Sequence, residues 1–243
     1  MTSGCISIYK LRDELKNVGI IRTKLSNYSY SRTEERRRLN SAIRLNDTLG
    51  NLGTGTSVLS GIVYDEHLKT SGRVVKTNDN PDEPPEFTIT TEPYVDVRIG
   101  LFWILNNGLL ISNRLENRAF ISRLIGRALS ADVKPCQINI GKLSEDYRNN
   151  WIGTIVGRDG NWQGGQVHGN DLRHDNCIGG EFVRCPKNLV GGITEYFGNG
   201  PTKFRASQEG SILVMQSWAN TKDPFIGFID QEMSQYIVRP NFD

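Results

Sequence analysis

Two of the three histidines and two of the four cysteines lie close together in a glycine-rich part of the chain. They are His168, His174, Cys177 and Cys185, separated by five, two and seven residues. Imidazole nitrogens and thiolates are the usual ligands of Zn²⁺, and a glycine-rich loop can bring four of them around a tetrahedral ion. The spacing matches none of the common zinc-finger patterns. The residue types alone therefore carry the prediction of a zinc site.

Two other interpretations of this segment stay open. His168, Asp171 and His174 could hold a catalytic metal that keeps one position for water, with Asp175 as the base. The chain would then be a metal-dependent hydrolase, for example a nuclease. In the other interpretation, these residues make ordinary turn hydrogen bonds in a loop that contains two buried thiols.

A second set of residues is basic. Arginines surround a segment that we predict as a helix, residues 33–49, and Tyr28 and Tyr30 precede it. Guanidinium groups along a helix suit contacts with phosphate, and tyrosine rings can stack on bases. The alternative is a solvated helix face, compensated locally by Glu34 and Glu35. The predicted nucleic-acid-binding residues are Arg32, Arg36, Arg37, Arg38, Arg44, Arg123 and Arg127, the last two on a later predicted helix.

The N-terminal elements that would position these arginines show helical spacing. Apolar residues recur at intervals of three and four over residues 8–18, which predicts a first helix. The helix predicted over residues 33–49 has a thin apolar stripe, formed mainly by Leu39, Ala42 and Ile43. A helix with so little to bury is poorly stable on its own. We therefore expect the N-terminal helices to dock on a partner protein or to lie along DNA or RNA.

The clearest later element is a β-hairpin. Residues 94–105 and 109–112 resemble strands, and Asn106, Asn107 and Gly108 between them are typical of a tight turn. A helix is predicted from Asn113 to about residue 130, with a capping box at its start. A strand at 136–140 and a short helix at 144–151 follow. Further strands are predicted at 154–156, 180–183, 189–196, 212–216, 225–229 and 236–239.

This order of elements predicts an α+β fold, with N-terminal helices followed by a largely antiparallel β-rich domain that carries helices on one face. Residues 79–86 contain three prolines and four acidic residues, which is typical of an exposed hinge or loop. We predict an N-terminal lobe at 1–78, this hinge at 79–86 and a main domain at 87–243. One continuous domain is the alternative.

Composition excludes some classes of protein. The chain has 243 residues, of which 37% are hydrophobic and 23% charged, as expected for a folded protein rather than a disordered one. No apolar run approaches the roughly 18 residues needed to span a bilayer, so no membrane association is predicted. The N-terminal segment is too charged for a signal peptide, and no CxxC pair occurs. We expect a cytoplasmic protein with reduced thiols.

These observations favour a non-catalytic, nucleic-acid-associated subunit of a larger prokaryotic or viral assembly, which contacts phosphate through its N-terminal arginines. A metal-dependent hydrolase centred on residues 168–185 is the first alternative. A protein–protein interaction module without a nucleic-acid role is the second. No cofactor is expected except zinc.

Overall fold

The computed structural model describes residues 3–12, 18–46, 50–51, 57–77, 84, 86–113, 119–147, 149–157, 163–198, 200–217 and 222–242. Strands dominate these residues, and thirteen of them form one sheet in which all pairs are antiparallel. A second sheet has two strands. None of the helices in these parts of the chain has the length and apolar character that crossing a membrane requires.

The strands, in chain order, are β1 (Ser3–Leu11), β2 (Ser29–Glu34), β3 (Arg37–Leu45), β4 (Gly50–Asn51), β5 (Ser57–Lys76), β6 (Phe87–Leu105), β7 (Leu109–Asn113), β8 (Val133–Pro135), β9 (Gln137–Ile138), β10 (Ile152–Ile155), β11 (Gly165–His168), β12 (Lys187–Thr194), β13 (Thr202–Ser207), β14 (Ser211–Ser217) and β15 (Ile237–Val238). The helices are α1 (Val18–Ser26), α2 (Ala119–Leu129), α3 (Ile140–Asp146), α4 (Gly179–Arg184) and α5 (Lys222–Phe228). Short 3-10 turns lie at Leu172–His174 and Ser234–Tyr236, and a π-helical turn at Ile229–Met233 continues from α5.

The large sheet has helices on both of its faces. Its strand order is β11-β10-β12-β13-β14-β1-β7-β6-β5-β3-β2, with β4 paired to β5 and β8 paired to β1. On one face, which we call the α2 face, helices α1 and α2 cover apolar residues of β1, β3, β5, β6 and β7. On the opposite face, the α3 face, residues of α3, α4 and α5 cover the half of the sheet from β10 to β6.

The prediction of N-terminal helices followed by a β domain is wrong. Residues 3–11 form strand β1 in the middle of the sheet, and residues 13–17 of the first predicted helix lie outside the described residues. Ile6 and Ile8 enter the core on the α3 face, whereas Tyr9 and Leu11 enter the core on the α2 face. A strand covered on both faces carries apolar residues at every spacing, including the spacing of a helix.

The second predicted helix is also wrong, because residues 29–45 form the hairpin β2–β3. Leu39, Ser41 and Ile43 alternate inward along β3, which is the period of a strand. The turn between the strands is Glu35–Arg36, and both residues have positive φ, 47° and 64°. Turns of this kind normally contain asparagine or glycine. Because this turn contains neither residue, the sequence does not indicate a hairpin here.

Several later elements are confirmed. Strands β6 and β7 form the predicted hairpin around Asn106–Gly108, and α2 occupies the predicted helical segment. Asn113, the predicted cap of that helix, ends β7, and its side chain accepts a hydrogen bond from the Leu101 amide (2.7 Å). Residues 114–118, where the helix is predicted to begin, lie outside the described residues. The strands predicted at 180–183 and 225–229 are helices α4 and α5, because a short buried apolar run fits either structure.

The division into two lobes, joined by a hinge at residues 79–86, stays a prediction. Residues 78–83 and 85 of the predicted hinge lie outside the described residues. On either side of the hinge, β5 and β6 pair with each other from Lys76–Phe87 back to Val58–Leu105. Strand β1 of the predicted first lobe pairs with β7 and β14 of the predicted main domain.

Candidate nucleic-acid interface

Arg32 has its charge satisfied inside the protein. Its side chain lies on the α2 face of the sheet and donates hydrogen bonds to Asp65 Oδ1 (3.0 Å) and Ser41 Oγ (3.2 Å). It also donates to the backbone oxygen of Glu66 (2.6 Å) and to Glu34 (2.8 Å). Burial alone would lower the pKa of Arg32, but the carboxylates of Glu34 and Asp65 raise it. Arg32 is therefore a structural residue of the sheet rather than an outward-facing phosphate ligand.

The other hairpin arginines divide between the two faces of the sheet. Arg38 donates to Ser31 Oγ (3.3 Å) on the α3 face, and Arg44 lies on the same face by alternation along β3. Arg37 lies on the α2 face, and Arg36 occupies the turn. All four are exposed. The arginines that we predicted along one helix therefore do not form one surface.

Arg123 and Arg127 do come together, and Arg12 joins them. The two residues lie four apart on α2, a spacing that places their Cβ atoms about 5–6 Å apart on one side of a helix. With Arg12, they line an open groove of about 540 Å³ between α2, the end of β1 and the segment that leads into β8. Asp132 is the one carboxylate among the described residues that line this groove.

Helix α2 presents these arginines because its opposite side is buried. Phe120, Ile121, Leu124 and Ile125 pack against the sheet, whereas Arg123 and Arg127 are exposed. Gly100 of β6 allows this close approach, since a Cβ atom there would lie 2.6 Å from Ile121 Cγ1. The basic groove is therefore fixed to the rigid part of the sheet.

Tyr30 connects the β2–β3 hairpin to the groove. The guanidinium carbon of Arg127 lies 5.1 Å from the centre of the Tyr30 ring, which is a cation–π contact. Tyr30 is 37% exposed. Of the predicted residues, Arg123, Arg127 and Tyr30 are thus the ones that the fold brings to one place.

The four predicted zinc ligands lie in four different parts of the segment. His168 ends β11, and its Nε2 lies 3.2 Å from Gln166 Nε2. His174 closes a 3-10 turn, where its Nδ1 lies 2.8 Å from the Asp171 carboxylate. Cys177 is exposed in the loop that follows. Cys185 is buried after α4, with its Sγ 3.4 Å from Glu181 Oε2.

These four residues are not gathered around one point. Within the described parts of the chain, no group of three or more His, Cys, Asp or Glu side chains is placed to hold a metal ion. Asp175, the predicted base, instead accepts hydrogen bonds from the amides of Cys177 and Ile178 (both 2.9 Å). These amides lower the pKa of Asp175. The carboxylate thus shapes the loop, and zinc binding remains a prediction without support from this geometry.

Sequence reasoning missed two features of the site. The first is Arg12, which lies inside the helix predicted over residues 8–18, whereas the structure places it directly after strand β1. The second is the pair of arginines, Arg32 and Arg98, that both bind the buried carboxylate of Asp65. No local signal could have identified that pair, since Arg98 lies 33 residues from Asp65 and meets it only through the β5–β6 register.

Comparisons with known proteins do not identify a family for this chain. No protein-family model matches the chain, and no curated protein matches it in sequence.

Proposed function

We propose that the chain is a non-catalytic, nucleic-acid-associated subunit of a larger assembly, and that it contacts phosphate through the groove of Arg12, Arg123 and Arg127. The observation that carries this proposal is the convergence of three guanidinium groups on one open groove with a single carboxylate among its described lining residues. Guanidinium groups recognise phosphate oxygens bidentately, and such contacts depend little on base sequence.

The chemistry of the groove suits a nucleic-acid backbone better than a small anion. The groove is open and about 540 Å³ in volume, which leaves room for more than one phosphate group. Ser122 and Ser130 add hydroxyl groups to its lining. The exposed ring of Tyr30 lies beside Arg127 and offers a surface on which a base can stack. We do not propose a hydrolase, since the predicted metal ligands lie apart.

Fluorescence anisotropy with labelled single-stranded and duplex DNA and RNA tests the proposal. At about 50 mM salt, the Arg123→Ala/Arg127→Ala variant should bind at least tenfold more weakly than the wild type. The slope of log K against log salt should become shallower by about 1 for each phosphate contact that is lost. Arg73→Ala/Arg239→Ala removes the same charge from exposed positions elsewhere and is the matched control.

The same experiment measures how much the arginines of the β2–β3 hairpin contribute to binding. Arg36, Arg37 and Arg38 changed together to alanine should weaken binding less than the groove variant, because these residues are divided between the two faces of the sheet. No binding by the wild type at low salt, or equal losses in the groove variant and its control, would exclude the proposed function.

A further inference from the structure

Strands β5 and β6 extend beyond their neighbours in the sheet. Strand β3 pairs with β5 only as far as Asp65, and β7 pairs with β6 only from Phe102. Over residues 66–76 and 87–97, the two strands pair with each other, and no described strand pairs with either of them. We call this two-stranded segment the arm. Its eleven residue pairs span about 35 Å at 3.2–3.4 Å per residue.

The two faces of the arm differ in character. One face is mainly polar. Lys69 and Asp96 form an ion pair there, and the face also carries Ser71, Arg73, Thr88, Thr90 and Glu92, together with Val75 and Tyr94. The other continues the α3 face of the sheet and is mainly apolar, and its residues include Leu68, Val74, Phe87, Ile89, Val95 and Val97. Ile89 is 71% exposed, and Phe87 and Val74 are each 63% exposed. Alternation of this kind is typical of strands with one solvated and one covered face.

The arm has only two strands, so we do not expect it to be stable without another layer packed against it. A two-stranded hairpin is marginally stable in water unless its apolar face packs against another layer. Its exposed apolar residues form a patch on the order of 500 Å², near the upper end for the surface of a monomer. The apolar face therefore has the area of a binding surface.

We propose that this face packs against the same face of a second copy of the chain, with the two arms antiparallel. The residue pattern is symmetric about the paired residues Ser71 and Glu92. On β5, Leu68 and Val74 lie three residues on either side of Ser71. On β6, Ile89 and Val95 lie three residues on either side of Glu92, and Phe87 and Val97 lie five.

Charge follows the same symmetry. Glu66 and Lys76 lie on the apolar face, five residues on either side of Ser71, at opposite ends of the arm. A two-fold axis that lies in the interface and crosses the strands at Ser71 and Glu92 reverses one arm relative to the other. Glu66 of each copy then lies opposite Lys76 of the second copy, and apolar residues lie opposite apolar residues. A parallel arrangement would instead place like charges together, which opposes association.

The area suits a weak, reversible dimer. Two such faces bury about 1,000 Å² in total, which is in the range of a weak, transient interface. The symmetric arrangement is isologous, so the same patch serves on both subunits and the assembly closes at two copies. The arm is thus assigned to self-association, independently of the groove on α2.

Sedimentation velocity over a range of protein concentrations tests this inference. The wild type should change from monomer to dimer, with a dissociation constant on the order of micromolar. Val74→Asp should raise that constant at least tenfold. Val75→Asp is the matched control, since it places the same charge on the next residue but on the polar face, and should leave the dimer intact. Ile89→Asp and Thr90→Asp form a second pair of this kind on β6.

A charge exchange tests the antiparallel register. Lys76→Glu should weaken the dimer, and the Glu66→Lys/Lys76→Glu variant should restore it, because each exchanged pair is again opposite in sign. Glu66 also accepts hydrogen bonds from Asn40 N (2.7 Å) and Nδ2 (2.9 Å), so circular dichroism must show that the exchanged variants fold. A wild type that stays monomeric at every concentration, or equal effects of Val74→Asp and Val75→Asp, would overturn the inference. Failure of the double exchange to restore the dimer would overturn the register.

Discussion

Arg32 donates a hydrogen bond to Asp65 across the intervening strand β3, with Nη1 and Oδ1 3.0 Å apart. Asp65 is 2% exposed, and it also accepts hydrogen bonds from Arg98 and from Ser41. The buried carboxylate therefore joins β2, β3, β5 and β6 at the base of the arm. Arg32, one of the predicted phosphate ligands, is therefore part of the internal structure of the sheet.

Replacing this carboxylate should destabilise the fold. In Asp65→Asn, Arg98 loses its Asp65 partner and Arg32 keeps only Glu34, and breaking a buried ion pair in this way costs about 3–5 kcal/mol. Urea denaturation should show this decrease in the free energy of unfolding. Asp96→Asn removes a partly exposed carboxylate from the arm and should have a much smaller effect. Equal effects of the two substitutions would contradict the role assigned to Asp65.

The same carboxylate should make stability depend on pH. Burial alone would raise the pKa of Asp65, but hydrogen bonds from Ser41, Arg98 and Arg32 outweigh it and lower the pKa below its ordinary value. A group with a lowered pKa in the folded state contributes stability above its unfolded pKa, and this contribution is lost as pH falls through the folded pKa. The wild type should therefore lose stability below about pH 4, whereas Asp65→Asn should lose less over the same range. Parallel pH profiles for the two proteins would refute this.

Local sequence carried enough information for some elements and not for others. The β6–β7 hairpin was predictable because Asn106–Gly108 supplies the turn chemistry, and α2 was predictable because its apolar residues share one side. Strand β1 was not, since Ile8 and Leu11 enter two different cores and their spacing matches a helix. In the site, Arg123 and Arg127 were predictable from helical spacing. Arg12 reaches the groove only through long-range pairing, which no local pattern encodes.

The turn between β2 and β3 shows a related conflict between sequence and structure. Glu35 and Arg36 both have positive φ, which costs residues with a Cβ atom about 1–2 kcal/mol each. Arg36→Gly should therefore stabilise the protein, by about 1 kcal/mol in urea denaturation. Arg37→Gly is the control, and it should destabilise, since it places a glycine inside strand β3. Destabilisation by Arg36→Gly would mean that its side chain makes a contact that outweighs the strain.

The cysteines should differ widely in reactivity. Burial raises the pKa of the Cys136 thiol to about 12, whereas Cys177 is exposed. Because the thiolate is the reactive form and Cys136 is also buried, iodoacetamide at about pH 8 should modify the exposed Cys177 much faster than Cys136. Peptide mass spectrometry over time measures both rates, and unfolding in urea should equalise them. Added Zn²⁺ should slow modification of Cys177 if the predicted zinc site forms, and Mg²⁺ is the control ion.

Gly100 lies where β6 packs against α2, the helix that carries two arginines of the proposed groove. A Cβ atom at this position would lie 2.6 Å from Ile121 Cγ1 and 2.9 Å from Phe120 Cζ, both on the buried side of α2. Gly100→Ala should therefore destabilise the protein by about 1–3 kcal/mol, because the Ile121 and Phe120 side chains must be displaced from their packed positions on α2. Since α2 carries Arg123 and Arg127, the same displacement should weaken nucleic-acid binding in the anisotropy assay.

Gly72, a second glycine in a strand, provides the control for Gly100→Ala. It shows what adding a methyl group to a strand does when the site lies away from α2. In Gly72→Ala, the new Cβ would lie 3.4 Å from Ile89 Cγ2, an ordinary contact on the arm, far from α2. This variant should keep its stability and its nucleic-acid affinity, since alanine costs less entropy than glycine in a strand. If Gly100→Ala lost stability but bound nucleic acid as tightly as Gly72→Ala, the position of α2 would not determine the phosphate contacts. The binding surface would then have to be sought on the arginines of the β2–β3 hairpin, which are divided between the two faces of the sheet.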